Sequence, residues 1–145
     1  MIKSYNYIVI DSDTISNFIV KITIERYLNP SDIHIFSNPS EGLEYMKNAN
    51  MKDTHTIVFL NIHIPFLSGW KFLSEFENFA PDMQNLFTIF ILTASIDKQD
   101  FVRAKNIKSV GGFLVKPLKK EIIIALINEL EWKVKHLSKS KHRQR

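Results

Sequence analysis

Apolar residues along the chain alternate between short continuous runs and a helical spacing, and this alternation repeats five times. Continuous apolar runs of this kind predict strands that are buried on both faces of a sheet. Segments with apolar residues three or four positions apart predict amphipathic helices. The predicted strands are Tyr5–Ile10, 33–36, Thr56–Leu60, 86–92 and Val110–Val115.

A helix is predicted after each strand. The predicted helices are 14–28, a segment that starts at 37–41, and then 70–79, 97–105 and 119–136. Strands that alternate with helices over short loops predict a parallel sheet with helices on both faces. The fold class is therefore α/β, a (βα)5 doubly wound five-stranded parallel sheet in three layers.

The residues expected to pack in the hydrophobic core include one side of the first helix and the aromatic residues around the third helix. The first helix is predicted to bury the side that carries Ile15, Phe18, Ile19, Ile22 and Tyr27. The aromatic residues around the third helix are expected in core and rim packing rather than in a cofactor site. They are Phe66, Trp70, Phe72, Phe76 and Phe79.

Size and composition restrict the possible functions. A chain of 145 residues is the size of one domain, so we expect a stand-alone domain without a fused output domain. The absence of cysteine excludes disulfides, cysteine zinc sites and thiol nucleophiles. No apolar segment is long enough for a signal peptide or a membrane span, so we expect a cytoplasmic protein without membrane contact.

The net charge of +4 is concentrated at the C-terminal end. Residues 133–145 carry six Lys and Arg and no acid, whereas the preceding residues carry 13 Lys and Arg against 15 Asp and Glu. We expect a domain at 1–136 and a basic tail without fixed structure at 137–145. No aromatic residue follows Trp132 to stack on a base, so nucleic acid is not the expected partner. A nucleic-acid binder that uses this tail remains an alternative.

Polar residues follow four of the predicted strands, where open parallel sheets bind their ligands. They are Asp11, Ser12 and Asp13, then Asn61, then Thr93 and Ala94, then Lys116 and Pro117. Acids, an amide, a hydroxyl and a lysine at one edge indicate a candidate phosphoryl or metal site. The chain has no Gly-x-Gly or Gly-Lys-Ser/Thr sequence, which excludes a nucleotide phosphate loop. His63 lies near this edge without a partner histidine for zinc.

One resemblance is to phosphatases of the haloacid-dehalogenase type. Residues 8–14 are similar to their hhhDxDxT motif, which implies Asp11 as nucleophile with Thr93 and Lys116 on the phosphate. That family also needs an acidic pair at a later strand end to hold magnesium. After Lys116 the only acids are Glu121, Glu129 and Glu131, all on the last predicted helix.

A second resemblance covers about residues 5 to 136. The chain resembles a CheY-like response-regulator receiver domain at residues 9–13, 61–69, 93–94 and 112–117. The resemblance implies a flavodoxin/CheY-like fold and a phosphoacceptor position at Asn61, next to an acidic metal pair at Asp11 and Ser12. It also implies that Thr93 and Lys116 contact phosphoryl oxygens and that Phe113 switches rotamer.

Two departures from that pattern predict an atypical pseudo-receiver. The amide of Asn61 has no anionic oxygen with which to attack phosphorus, and Ser12 removes a hard carboxylate ligand. No cofactor is therefore expected, and Mg²⁺ is expected to bind weakly at best. The residual candidate ligands for Mg²⁺ are Asp11, Asp13 and the His63 backbone carbonyl. We expect Asp11 to pair with Lys116, and Asn61 to hydrogen-bond Thr93 in place of a phosphoryl group.

The predicted function is non-enzymatic protein interaction in a two-component phosphorelay. The partner would be a histidine kinase, a phosphotransfer protein or an output protein. The expected surface is the family's α4-β5-α5 face, which consists here of the fourth predicted helix, the fifth strand and the fifth helix. It includes Lys98, Phe101, Lys105, Phe113 and Lys119. A homodimer, a receiver phosphorylated at Asp11 or Asp13, and a small magnesium-dependent phosphatase remain open.

Overall fold

The computed structural model describes residues 4–48, 54–65 and 67–143, with side chains up to residue 132. Its strands are β1 (Tyr5–Ile10), β2 (Pro30–Phe36), β3 (Thr56–Leu60), β4 (Phe87–Thr93) and β5 (Val110–Val115). All are parallel and form one sheet in the order β2-β1-β3-β4-β5. This topology confirms the predicted α/β fold class.

The described residues form six helices, one more than predicted. They are α1 (Thr14–Tyr27), α2 (Pro39–Asn48), α3 (Gly69–Phe76), α4 (Pro81–Gln84), α5 (Lys98–Lys105) and α6 (Lys120–Arg143). Pro81, predicted only to close the third helix, begins the short α4, because proline is well suited to the first helical position. The helix α6 passes its predicted end at His136 and reaches Arg143. Residues 144–145 of the predicted tail lie outside the described residues.

Two hydrophobic clusters lie on the two faces of the sheet and define three layers. On one face Ile8 and Ile10 of β1 pack with Met46 of α2 and with Phe72 and Leu73 of α3. The other face is covered by α1 and α6, through Val20, Ile24, Ile123 and Ile127. Since side chains of a strand alternate between the two faces, the continuous apolar strands supply both clusters.

The helix α1 buries a different side from the predicted one. Ile15, Phe18 and Ile19 are exposed by 71%, 63% and 48%. The side packed on the sheet is held by Asn17, whose amide donates to the Asp11 carbonyl oxygen at 2.8 Å. The prediction for this helix is wrong because α1 is apolar on two opposite sides, and the sheet covers the side with Asn17, Val20 and Ile24.

The loop between β3 and α3 makes a tight return to the sheet. The Gly69 N–H donates to the Ile62 carbonyl oxygen at 3.0 Å. A Cβ on Gly69 would lie 2.5 Å from the Ile62 Cα, so only glycine fits. Phe66 of this loop lies outside the described residues. The remaining aromatics pack as predicted, with Phe72 and Phe76 buried, and Trp70 and Phe79 partly buried.

Candidate functional site at the carboxyl edge of the sheet

Asp11, Asn61 and Lys116 meet at the carboxyl edge of the sheet, although each follows a different strand. The Lys116 Nζ lies 2.5 Å from Oδ2 of Asp11. Both side chains are largely buried, at 19% and 5% exposure. The Lys116 N–H also donates to the Thr93 carbonyl oxygen at 2.8 Å, which holds the end of β5 against the end of β4.

The carboxylate of Asp11 is engaged on both oxygens. While Oδ2 faces Lys116, Oδ1 accepts from the Asp13 N–H at 3.0 Å and from the Asn61 Nδ2 at 3.1 Å. Burial raises the pKa of Asp11, but the hydrogen bonds from Lys116, the Asp13 backbone and Asn61 outweigh it and bring the pKa below its usual value. Asp11 is therefore an ionised group whose charge is neutralised inside the protein.

The amide of Asn61 fits this position through both of its ends. Its Nδ2 donates to Asp11, and its Oδ1 accepts from the His63 N–H at 3.2 Å. An aspartate at the same position would have no donor and would place a second negative charge beside Asp11. The amide therefore stabilises an arrangement that a carboxylate would disfavour unless a cation lay between the two groups.

Ser12 and Asp13 directly follow Asp11 in the sequence. Both are exposed, and Asp13 Oδ1 caps α1 by accepting from the Ile15 N–H at 3.0 Å and the Ser16 N–H at 3.2 Å. Within the part of the chain that is described, no three His, Asp or Glu side chains are grouped to hold a metal ion. Magnesium prefers several hard oxygen ligands, and here Asp11 supplies one carboxylate next to an ammonium group. The described side chains next to Lys116 thus offer one carboxylate, that of Asp11, instead of a set of hard oxygen ligands.

Thr93 is buried at the end of β4 but does not bond Asn61. Its Oγ1 accepts from the Ser95 N–H at 3.1 Å and so belongs to the turn that leads into α5. The predicted Asn61–Thr93 hydrogen bond is therefore wrong, because Asn61 has a charged acceptor in Asp11. Ala94 and Pro117 are exposed, and the Lys116–Pro117 peptide is cis.

The residues of this edge lie within a sequence range that matches a known protein family. The family model for the response regulator receiver domain matches residues 7–128. The matched range contains all the strand ends at which Asp11, Asn61, Thr93 and Lys116 lie. The chain belongs to the response regulator receiver domain family. It is thus a receiver domain of the two-component signalling type.

Solved structures have the same fold as this receiver. A response regulator receiver protein from Dyadobacter fermentans has a TM-score of 0.77 at 16% identity, covering 88% of this chain and 97% of that one. A two-component response regulator from Cytophaga hutchinsonii has a TM-score of 0.75 at 24% identity, and the match covers 88% of this chain and 96% of that one. A response regulator receiver domain protein from Clostridium thermocellum has a TM-score of 0.73 at 24% identity, and the match covers 92% of this chain and 98% of that one. No match was found among curated proteins.

The aromatic residue on β5 of this receiver packs against α5. The ring of Phe113 meets that of Phe101 edge to face, with centroids 5.7 Å apart and planes at 89°. Phe113 is half-buried, whereas Phe101 is 49% exposed. A groove of about 200 Å³ beside the two rings runs along Gly111 and Gly112 of β5. An aromatic pair thus connects the last strand to the protein surface.

A polar cluster that the sequence did not predict joins the loop after β3 to α5. The His63 Nε2 lies 2.8 Å from Oδ2 of Asp100, and the Ser95 hydroxyl donates to the same oxygen at 2.7 Å. His63 and Asp100 are 37 positions apart, so no local spacing signals their contact. Because the backbones of His63 and Ser95 bond Asn61 and Thr93, the cluster links the site to α5.

The pKa of Asp100 predicts a pH-dependent contribution to stability. Hydrogen bonds from Ser95 and from His63 hold this pKa below its usual value. Such a carboxylate stabilises the fold above its unfolded pKa of about 4, and the effect is lost as the pH falls through the lowered folded value. We expect Asp100→Asn to reduce the free energy of unfolding by about 1 kcal/mol at pH 7 and by less at about pH 3.

Urea unfolding at the two pH values measures this effect. Asp82→Asn, at an exposed position of α4, is the matched control for removing one acid. An equal loss for Asp100→Asn at both pH values would contradict the assignment.

Proposed function

We propose that this receiver is a non-phosphorylatable interaction module in a two-component phosphorelay. The observation that carries the proposal is the Asn61 amide at the acceptor position, hydrogen-bonded to Asp11. An amide nitrogen delocalises its lone pair into the carbonyl group and has no anionic oxygen to attack phosphorus. The domain would then keep one conformation that does not depend on a phosphoryl group.

The charges of the pocket support the same proposal. The Lys116 ammonium group is taken up by Asp11, so it is not available for a phosphoryl oxygen unless that pair opens. We propose that Mg²⁺ binds weakly at best and that the chain has no catalytic activity of its own. Phosphorylation at Asp11 is disfavoured because both oxygens are engaged, and Asp13 is held in the cap of α1.

The partner would be a histidine kinase, a phosphotransfer protein or an output protein in the cytoplasm. The predicted α4-β5-α5 face corresponds to α5, β5 and α6 here, because the short α4 adds one helix to the numbering. The surface carries exposed lysines around an aromatic centre, namely Lys98, Phe101, Lys105 and Lys119. No helix in the described ranges is both long and apolar enough to cross a bilayer.

An NMR titration with Mg²⁺ and beryllofluoride, an analogue of a phosphoryl group, tests the proposal. We expect the wild-type signals of Thr93, Phe113 and Lys116 to stay unchanged at millimolar Mg²⁺. The double variant Ser12→Asp/Asn61→Asp restores two carboxylates next to Asp11, and we expect it to bind Mg²⁺ at least tenfold more tightly. The same three residues should then shift when beryllofluoride is added.

The single variant Ser12→Asp is the control, since it adds one carboxylate but keeps the amide of Asn61. We expect it to bind Mg²⁺ more weakly than the double variant and to give no response to beryllofluoride. Beryllofluoride shifts at Thr93 and Lys116 of the wild type would refute the proposal. Hydrolysis of an aryl phosphate by the wild type, lost in Asp11→Asn, would favour the phosphatase instead.

A further inference from the structure

The helix α1 carries an exposed apolar stripe that the receiver site does not use. The stripe consists of Ile15, Phe18, Ile19 and Ile22, three exposed and the last partly buried. These positions are three or four residues apart and therefore lie on one side of the helix. The opposite side is already buried against the sheet. A contiguous exposed apolar patch of this kind marks a surface that another molecule covers.

The shape of the stripe suits another helix. It is one side chain wide and two turns long, which is the seam that helices bury when they pack along each other. The two ends of the helix α1, rather than of the stripe itself, carry opposite charges. Exposed Arg26 continues the stripe one turn beyond Ile22, and exposed Asp13 caps the other end of the helix. A partner helix should therefore be basic where Asp13 lies and acidic where Arg26 lies.

We propose that a second copy of this chain covers the stripe, with the two α1 helices antiparallel about a two-fold axis. An axis between Phe18 and Ile19 brings Ile15 of one copy against Ile22 of the other. It also brings Arg26 near Asp13 at both ends of the seam. A two-fold contact uses the same patch on both copies, and α1 meets this requirement of self-complementarity.

The antiparallel direction follows from charge. Parallel packing would place Arg26 beside Arg26 and would align the two helix dipoles. Antiparallel packing instead places Arg26 of each copy near Asp13 of the other copy. It also makes the two helix dipoles point in opposite directions. The proposed dimer uses neither the site nor the α5-β5-α6 surface, so it stands independently of the proposed function.

Sedimentation velocity on the full chain, from a few to several hundred micromolar, tests the dimer. We expect the wild type to shift from 16.9 kDa towards twice that mass with rising concentration. Phe18→Glu places a charge in the seam, and Arg26→Glu brings two acids together at each end. We expect Phe18→Glu to raise the dimer dissociation constant at least tenfold and Arg26→Glu to raise it severalfold.

Val102→Glu is the matched control, because Val102 is an apolar residue of α5 with 55% exposure. We expect it to dimerise like the wild type. A wild type that stays monomeric at all concentrations would overturn the proposal. This would hold even if the stripe were then found to bind a different protein. Dissociation by Val102→Glu but not by Phe18→Glu would overturn it in favour of the α5 surface.

Cross-linking gives a readout that does not depend on disrupting the seam. The chain has no cysteine, so a single introduced thiol reports one position. Ile19→Cys lies next to the proposed axis, and we expect a short bismaleimide to join two copies there. Ile96→Cys, at an 86% exposed loop position, should stay uncoupled. Equal coupling of the two variants would contradict the antiparallel seam.

Discussion

Lys116→Met is expected to lower the free energy of unfolding by about 3 kcal/mol at pH 7. Removing one partner of a buried ion pair leaves the other charge without compensation, which is the costly case for such pairs. Asp11 is 4% exposed, so water cannot replace the lost ammonium group. Methionine keeps most of the side-chain volume and limits the packing loss. Urea unfolding followed by circular dichroism measures the change.

Two further variants separate the effect of the buried charge on stability from the effect of lost packing. We expect Asp11→Asn alone to cost less than Lys116→Met, because the long Lys116 side chain can turn its ammonium group to solvent. The double variant Asp11→Asn/Lys116→Met contains no buried charge, and we expect it to come within about 1 kcal/mol of the wild type. A Lys116→Met cost below about 1 kcal/mol would show that the pair contributes little to stability.

The sheet was predictable because its strands are continuous apolar runs. All five residues of β3 are buried, and no helical period competes with them. The start of β2 was missed since it consists of Pro30, Ser31 and Asp32, which resemble a turn. An edge strand tolerates such residues, because β2 pairs only with β1 and its outer side makes no ladder hydrogen bonds.

The buried side of α1 could not be read from its own pattern. Ile15, Phe18 and Ile19 make a clearer stripe than the side with Asn17, and a rule that buries apolar residues selects the wrong side. The buried side carries Val20 and Ile24 together with the Asn17 bond to the Asp11 backbone, and that bond becomes visible only in the folded chain. For a helix with two apolar sides, the buried side can therefore be predicted only when it is known what covers each side.

At the site the sequence predicted which residues meet, but not all of their bonds. The ends of parallel strands converge by topology, which was enough to bring Asp11, Asn61 and Lys116 together. The direction of the Asn61 amide depends on competition between acceptors within a few ångströms. The His63–Asp100 contact joins two segments that share no local pattern. Both depend on three-dimensional distances, so the sequence could not supply them.

Gly69→Ala tests the loop that carries Asn61, and we expect it to cost about 3 kcal/mol. The new Cβ would lie 2.5 Å from the Ile62 Cα and 3.0 Å from the Asn61 carbonyl oxygen. Both are backbone atoms, so the loop itself has to shift. We therefore expect the side-chain amide signals of Asn61 to move in NMR spectra, together with the loss in urea unfolding.

Gly42→Ala is the control, because its new Cβ would also meet a close contact, 2.9 Å from Ile10 Cδ1. That atom is the end of a flexible side chain, which can turn away. Alanine is also favoured over glycine within a helix such as α2 by about 1 kcal/mol, so the two effects should nearly cancel. If Gly69→Ala behaved like Gly42→Ala and left the Asn61 signals in place, the tight loop would not be what positions Asn61 beside Asp11.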